Sequence, residues 1–333
     1  MRRGLDPSPR FQHRVSSERL GQEAAADGLP LQGGAVYDAM LLGAVLLWSG
    51  NVPLVKLALA VLHPLAFAAI RFAVAAGALL ILVRVREGGV GIRRADVPLL
   101  ALAAFLGVAL QQVLFVFGLA AGTASSTAIL FATSPLWAAL IAMLVGQERP
   151  GVRFGTSLAL GIAGVALVVR GSPVGGEAGS LAGDLLILAA AFTWAAYSVI
   201  IIPLLGRYSA NRVSAAVTGV GALMLLPLGM PALLATDPAT VPPGIWAVVG
   251  YAALGAIVVT NLLYFTAIRH VGASRGTSFI YLQPVFGVLF AVLLVGESVS
   301  VLQVVGGVVV LASILIGQRV PRREGVAASE PDV

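Results

Sequence analysis

Ten long apolar runs, separated by short polar stretches, constrain this chain more than any other feature of its sequence. Each run has 16 to 24 residues, and a helix of roughly 20 residues crosses the hydrocarbon core of a bilayer. Only two charged side chains, Lys56 and Arg71, lie within the runs. The predicted membrane spans are residues 40–61, 64–83, 98–121, 124–146, 154–169, 185–205, 213–234, 245–268, 276–295 and 299–316.

The composition agrees with membrane spans and excludes an ordinary soluble enzyme. Apolar residues make up 59% of the chain and charged residues 11%, whereas about a quarter of the residues of a soluble domain are charged. A helix satisfies every backbone amide within its own segment, as hydrocarbon requires, and the alternating polarity of a membrane β-strand is absent. We therefore predict an all-α integral membrane protein with ten transmembrane helices.

The distribution of basic residues predicts the orientation. Of the 21 Lys and Arg residues, 18 fall in the two tails and in the loops after even-numbered spans, and one, Arg170, falls on the other side. The positive-inside rule then places both termini in the cytoplasm. The net charge of +6 records topology rather than a nucleic-acid partner. The predicted partners are the lipid bilayer and a small-molecule solute, and the sequence is compatible with either a monomer or a homodimer.

Polar tails flank the helical region. Residues 1–35 lack the apolar core of a signal peptide, and residues 321–333 are similarly polar. Segments of this composition cannot bury enough apolar surface to fold. We therefore predict that both tails are disordered and cytoplasmic.

An internal repeat divides the helical region into two halves. A shift of 149 residues aligns Pro135 with Pro284 and Glu148 with Glu297. Each half holds five predicted helices, and an odd number makes the second half enter the membrane from the opposite side. Such inverted repeats recur in secondary transporters. The predicted repeats are residues 36–172 and 180–320.

Motifs spread over both halves resemble the EamA-like branch of the drug/metabolite transporter superfamily. They are Leu47-Trp48-Ser49-Gly50-Asn51, residues 64–71, Thr123-Ala124-Ser125-Ser126, Ser134-Pro135-Leu136-Trp137, Glu148, Gly272-Ala273-Ser274, Gln283-Pro284 and Gly296-Glu297. Their order and spacing carry the resemblance, since no single motif is specific. The resemblance implies a ten-helix carrier that moves small organic solutes, often by export.

The two charges within the runs are candidate functional residues, because intramembrane charge is costly. Lys56 and Arg71 both lie near the outer face. In one interpretation they form a positive outer vestibule that binds a carboxylate of the solute. In the other they are scaffold: Lys56 extends its ammonium group to the membrane surface, and Arg71 bonds a carbonyl group or another helix.

Two prolines and a set of polar residues outline a candidate solute pathway. Pro135 and Pro284 should kink spans four and nine and free the carbonyl groups of Phe131 and Ile280. Amide, hydroxyl and aromatic side chains around these kinks suit a solute with polar and apolar parts, although they could equally form inter-helix hydrogen bonds. The candidate pathway residues are Trp48, Asn51, Lys56, Arg71, Gln111, Gln112, Ser134, Tyr197, Asn261, Tyr264, Tyr281 and Gln283.

Small residues recur every four positions in span five, at Gly155, Ala159 and Ala163. Such a stripe lets two helices approach closely. We predict that it packs within the protomer rather than between protomers.

The acidic residues lie outside or at the ends of the spans, among them Asp38, Glu148, Asp184 and Glu297. A proton-coupled carrier usually needs a titratable group that both sides can reach. The sequence therefore offers no buried acid for proton coupling.

These observations favour a secondary transporter of amino-acid-like or amphipathic solutes that works by alternating access. The favoured direction is export. The alternatives are an uptake permease or facilitator and an integral-membrane enzyme. An enzyme is disfavoured because the sequence shows no nucleophile paired with a base and no metal-ligand spacing. We predict no catalytic residue, metal or cofactor. The excess of arginine over lysine hints at a bacterial chain, and hence at the inner membrane.

Overall fold

The computed structural model describes residues 32–144, 152–172 and 181–318, and its secondary structure is helical. Nine helices in these ranges are long and apolar enough to cross a membrane. The last helix is also apolar, but its apolar stretch is shorter than those of the other nine. In chain order they are α1 (Gln32–Leu59), α2 (Pro64–Glu87), α3 (Arg94–Ala121), α4 (Ala124–Leu144), α5 (Val152–Gly171), α6 (Leu181–Ile200), α7 (Ala210–Ala235), α8 (Pro243–Val271), α9 (Ser278–Val295) and α10 (Val301–Gln318).

The first helix begins earlier than predicted. Because α1 starts at Gln32, the predicted disordered tail over residues 1–35 extends four residues too far. Tertiary contacts hold these first turns: the Tyr37 ring stacks on His270 with centroids 4.2 Å apart, and Asp38 pairs with Arg275. The rest of that tail, residues 321–333 and Glu148 lie outside the described residues.

Local signals fix several helix ends. Proline at the first position suits the start of α2 because its missing N–H would have no helical partner, and His63 Nδ1 accepts a hydrogen bond from Leu65 N at 3.3 Å. Gly88 ends that helix with φ 78°, a left-handed conformation that glycine adopts without steric cost. Ser209 caps α7 by accepting from Arg212 N at 3.2 Å.

Four helices depart from regular α geometry. Helix α4 breaks at residues 132–133 and α9 at residues 281–282, each shortly before a proline, Pro135 or Pro284. Helices α3 and α8 contain π-helical segments, Phe105–Leu110 and Tyr251–Val259, which in other proteins often mark functional sites. A shift of 149 residues carries 105–110 onto 254–259, so these irregularities occupy corresponding places in the two halves of the chain.

Helices from the two halves interleave. Helix α1 packs against α8 and α9, and α6 packs against α3 and α4. Helix α2 packs along α7, and α5 packs along α10. Each of these pairings joins a helix of the first half (α1–α5) to one of the second half (α6–α10), so neither half has a separate core.

Helices α5 and α10 approach closely through glycine, but on a different face from the one predicted. A Cβ added at Gly164 would lie 2.9 Å from the Gly306 carbonyl oxygen. The predicted stripe of Gly155, Ala159 and Ala163 is exposed instead. The spacing of small residues identifies helix faces that allow close packing, but the position of the partner helix decides which of those faces is buried.

Burial in α4 and α9 is uneven along their lengths. The first segment of α4, Ala124–Phe131, buries most of its side chains, whereas Ser134–Leu144 buries only Leu136. In α9, Pro284, Gly287 and Ala291 are buried, whereas residues 285, 289 and 292–294 of the same segment are exposed and residues 278–280 are exposed or half-buried. The buried first segment of α4 meets α9 at Gly287, since a Cβ added there would lie 2.8 Å from Ala128 Cβ.

Candidate functional site

The connection between α3 and α4, residues 121–124, is held from one side by Lys56. Its Nζ donates to the carbonyl oxygens of Leu119 at 2.9 Å, Ala120 at 3.0 Å and Gly122 at 2.7 Å. An ammonium group has three hydrogens, so these three acceptors occupy all of them. The positive charge also lies at the negative end of the α3 dipole, where it is favourable. Lys56 therefore acts as scaffold in this conformation and leaves no hydrogen for a solute.

The same connection is held from the other side by Glu297, which lies between α9 and α10. Its carboxylate accepts from Ala124 N at 2.6 Å, Ser125 N at 2.8 Å and Ser125 Oγ at 2.7 Å. An acid at a helix N-terminus satisfies backbone donors and complements the dipole. The sequence identified Glu297 only through its repeated spacing from proline and missed this capping contact.

Further hydrogen bonds join neighbouring helix ends to this connection. Ser126 Oγ lies 2.8 Å from Ser172 Oγ and accepts from Gln303 Nε2 at 2.9 Å. Ser300 Oγ donates to the Gly171 carbonyl oxygen at 2.9 Å. We call the region made by Lys56, residues 121–126, Ser172 and residues 297–303 the sealed end of the molecule. It ties together α1, α3, α4, α5 and α10.

Arg71 is buried rather than placed in an open vestibule. It is 5% exposed, its Nε donates to the Ala252 carbonyl oxygen at 3.1 Å, and its Nη1 has no hydrogen-bond partner. Its guanidinium carbon lies 5.4 Å from the centre of the Phe72 ring. Among the described residues no carboxylate pairs with it. The contact with the π-helical segment of α8 favours the scaffold interpretation over the vestibule interpretation.

A first cluster of candidate residues joins α1 to α8 and α9. The Trp48 and Tyr264 rings lie 5.6 Å apart, and Ser49 Oγ donates to the Gln283 carbonyl oxygen at 3.0 Å. Asn51, one turn further along α1, is 8% exposed, and its Oδ1 has no hydrogen-bond partner. Trp48, Tyr264 and Gln283 are half-buried.

A second cluster joins α6 to α3 and α4. The Trp194 ring lies 5.2 Å from Tyr197 and 6.3 Å from Phe131. Tyr197 packs on the π-helical segment of α3, because a Cβ added at Gly107 would lie 2.4 Å from its ring. The freed carbonyl oxygen of Phe131 accepts a hydrogen bond from Ser134 Oγ at 2.6 Å.

The remaining candidate residues are spread over α3, α8 and α9. Gln111 and Gln112 follow the π-helical segment of α3 and are buried, and Gln112 Nε2 donates to Gln111 Oε1 at 2.6 Å. Asn261 is half-buried on α8. Tyr281 lies in the break of α9, and its buried hydroxyl has no hydrogen-bond partner. An unpartnered buried polar atom is costly, and the Tyr281 hydroxyl is one such atom.

The two clusters are built from corresponding positions of the two halves. A shift of 146 residues carries Trp48 onto Trp194 and Asn51 onto Tyr197. A shift of 149 carries Ser134 onto Gln283 and Gln112 onto Asn261. The ring of Tyr264, which contacts Trp48, corresponds in the same way to Phe115, which contacts Phe131 with centroids 5.8 Å apart.

Two acids among the described residues are buried, which corrects the expectation that no buried acid is present. Asp96 and Asp184 are each 3% exposed although both lie at helix ends. Asp96 pairs with Arg207 and accepts from the Tyr208 hydroxyl at 2.7 Å. Asp184 has no cation partner among the described residues, and its Oδ2 has no hydrogen-bond partner. Sequence position gave no sign of this burial, because other parts of the chain cover the two side chains.

The described residues contain no group of three or more His, Asp or Glu side chains that could hold a metal ion. The geometry is therefore that of a helical bundle with aromatic and amide clusters between its halves.

Comparisons with known proteins agree with this geometry. The model of the EamA-like transporter family matches residues 36–170 and again residues 181–317. An uncharacterized transporter from Archaeoglobus fulgidus is 26% identical over 82% of this chain and 93% of its own length. A probable terminal-alkyne amino-acid exporter from Streptantibioticus cattleyicolor is 27% identical, over 83% and 91% respectively.

Two further comparisons concern a bacterial relative and the fold. The uncharacterized inner membrane transporter YedA of Escherichia coli is 29% identical over 57% of this chain and 60% of its own length. A crystal structure covering 88% of this chain and 99% of its own aligns with a TM-score of 0.57 at 19% identity, a likeness that concerns the fold alone. Because the family model covers nearly all of the helical region, the chain belongs to the EamA-like transporter family.

Proposed function

We propose that this protein is a secondary transporter that exports small organic solutes across the bacterial inner membrane by alternating access. Ten transmembrane helices form two inverted five-helix repeats, over residues 36–172 and 180–320, with both termini in the cytoplasm. The solute is amino-acid-like or amphipathic, and the pathway runs between the two halves. The relatives named as transporters and the inner-membrane location of YedA support transport in this membrane rather than catalysis.

The interleaved packing of the halves supports the inverted repeat. Each of the four main helix pairings joins one half to the other, and the π-helical segments and proline breaks recur at equivalent positions. Two halves of opposite orientation that exchange conformations turn a site open to one side into a site open to the other. The two halves have different conformations despite the repeat, as expected for a single state of a transporter whose halves exchange conformations.

One observation carries the proposal: hydrogen bonds seal one end of the bundle, and α4 is buried at that end and less buried toward the other. Lys56 and Glu297 hold the α3–α4 connection, and the half of α4 nearest to it is buried. The opposite half of α4 is mostly half-buried. With the predicted orientation, the sealed end faces outward. We therefore infer an inward-facing state, which would load solute from the cytoplasm.

The side chains between the halves indicate the class of solute. Trp48, Tyr264, Trp194 and Tyr197 offer aromatic faces, while the clusters hold amides and hydroxyls but no carboxylate. Such a lining suits a neutral or zwitterionic solute with an apolar part and gives no counter-charge to a cation. The relative named as an amino-acid exporter supports the same class and the direction of export.

Solute counterflow in proteoliposomes tests the proposal. We expect counterflow of neutral and aromatic amino acids to exceed that of nucleosides and cationic drugs. Trp48→Ala and Trp194→Ala should each lower the apparent affinity by about tenfold, since burying an aromatic face on a ligand contributes about 1–2 kcal/mol. Leu223→Ala, at a side chain that is 69% exposed on α7, is the matched control and should change nothing.

An uptake permease is the alternative direction, and inverted membrane vesicles separate the two. Export predicts accumulation of solute inside inverted vesicles, whereas uptake predicts accumulation in right-side-out vesicles. Counterflow of no compound in the panel, combined with turnover of a lipid-linked substrate, would contradict transport and favour an enzyme.

A further inference from the structure

We propose that Asp184 is a proton-binding site of the sealed end: its carboxyl group carries a proton while that end is closed and releases it to the outside water when that end opens. The proposal rests on the alternating-access function and on the outward orientation of the sealed end given above. The proton leaves and returns on the same side, so it biases the conformation without crossing the membrane.

The position of Asp184 gives the first argument. It lies in the first turn of α6, is 3% exposed, and has an oxygen, Oδ2, with no hydrogen-bond partner. Backbone atoms cover it: a Cβ added at Gly183 would lie 2.8 Å from Gly122 N and 2.9 Å from the Gly118 carbonyl oxygen. The α3–α4 connection thus rests directly on the start of α6. Moving that connection is what would admit water to the carboxyl group.

The charges around Asp184 give the second argument. Helices and loops that meet at the sealed end carry Lys56, Glu297, His63 and Arg170. All hydrogens of the Lys56 ammonium group are taken by α3 carbonyl oxygens, and Glu297 is bonded to the N-terminus of α4. Arg170 and His63 are exposed. None of these groups forms an ion pair with Asp184 among the described residues.

An ionised carboxylate in such a place is unfavourable. Burial without a counter-charge penalises the charged form and favours the protonated one, against an opposing and smaller effect of the Ser172 side chain. The positive end of the α6 dipole favours the ionised form only modestly. Opening reverses the balance, because water and the helix N-terminus then both stabilise the carboxylate.

Asp38 provides a matched comparison within the chain. A shift of 146 residues carries Asp38 onto Asp184, yet Asp38 lies at the opposite end, its side chain is 28% exposed, and it pairs with Arg275. The two equivalent acids therefore differ in their burial and in whether a cation pairs with them, and the proposal depends on both features.

The expected coupling follows from proton balance. The protonated carboxyl group of the closed state loses one proton to the outside water on opening and regains one from there on closing. One released proton makes the ratio of open to closed molecules rise by up to tenfold per pH unit. Acidic water on the outside thus favours the closed conformation of the sealed end, and neutral or alkaline water favours the open one.

Distances across the sealed end can measure this ratio. The chain has no cysteine, so spin labels can be attached to Val61→Cys and Ser298→Cys, two exposed positions that flank Lys56 and Glu297. Double electron–electron resonance spectroscopy of the labelled protein in lipid nanodiscs, between pH 5 and pH 8, then gives the populations of short and long distances between the two labels. We expect the long-distance population to grow with pH, by up to tenfold in the population ratio per unit.

Substitutions decide whether Asp184 is the group responsible. Asp184→Asn mimics the protonated form, so we expect short distances at every pH, whereas Asp38→Asn should keep the wild-type pH dependence. Asp184→Ser is a second neutral variant if the amide impairs folding. A pH response that persists in both Asp184 variants, or a wild-type distance that does not change with pH, would overturn the proposal.

Counterflow with the same preparations separates this proposal from the proposed function. Counterflow together with pH-independent distances contradicts the Asp184 site alone. Absence of counterflow with every solute contradicts the transport function itself.

Discussion

Replacing Glu297 with glutamine is the sharpest test of how the sealed end is held closed. The carboxylate accepts three hydrogen bonds, from Ala124 N, Ser125 N and Ser125 Oγ. Glutamine has nearly the same shape, but it keeps only one acceptor oxygen and turns an NH₂ group toward backbone N–H groups. It also removes the negative charge from the N-terminus of α4.

The magnitude follows from these contacts. A hydrogen bond to a charged group contributes about 1.5–3 kcal/mol, and an acid at a helix N-terminus about 0.3–1 kcal/mol. Glu297 is half-buried, so water screens part of this, and about 2 kcal/mol is the expected loss. That loss corresponds to about a 30-fold shift of the equilibrium toward the opened state.

Spin labels at Val61 and Ser298 report this shift directly, at constant pH. We expect Glu297→Gln to raise the ratio of long to short distances by about 30-fold. Glu87→Gln is the control, because Glu87 bonds Ser209 and Arg212 at the opposite end. Equal distance distributions for Glu297→Gln, Glu87→Gln and the wild type would refute the role of this cap.

Three further substitutions have defined outcomes. Lys56→Met leaves three carbonyl oxygens at the end of α3 and in the α3–α4 connection without their donor, so counterflow of anionic and cationic solutes should fall equally; selective loss of anionic solutes would support a vestibule instead. Arg71→Gln removes the bond to the π-helical segment of α8, and thermal unfolding should show a loss of about 1–3 kcal/mol. Gly306→Leu should destabilise the α5–α10 contact by several kcal/mol. Gly155→Leu should not, because no atom lies within 4 Å of a Cβ added there. Equal effects of the two substitutions on the melting temperature would contradict the packing of α5 on α10.

The helices could be predicted from the sequence because hydrophobic length is a local property. Among the described residues, nine of the predicted runs coincide with helices long and apolar enough to cross a membrane and the tenth with a shorter apolar helix, and the breaks in α4 and α9 precede Pro135 and Pro284. The repeat at a shift of 149 residues also pointed to Glu297. Each of these signals depends on residues adjacent in the chain or on spacing alone.

The rest depends on which surfaces meet. The stripe of Gly155, Ala159 and Ala163 was a sound packing signal, yet α10 packs on another face of α5 that also carries glycine. Asp184 was interpreted as an interfacial acid because it lies near a helix end, but the α3–α4 connection covers it. The binding of Lys56 to the end of α3 likewise joins residues more than sixty positions apart. Neither hydropathy nor spacing contains such contacts.

The central claim is that one end of the bundle opens as the other closes. Spin-label pairs at both ends test it most directly: Val61 and Ser298 at the sealed end, and Leu144 and Arg269, both exposed, at the other. On adding the solute that gives the strongest counterflow, we expect the first pair to move apart while the second pair moves closer. Distances that change in the same direction at both ends, or at neither, would contradict alternating access.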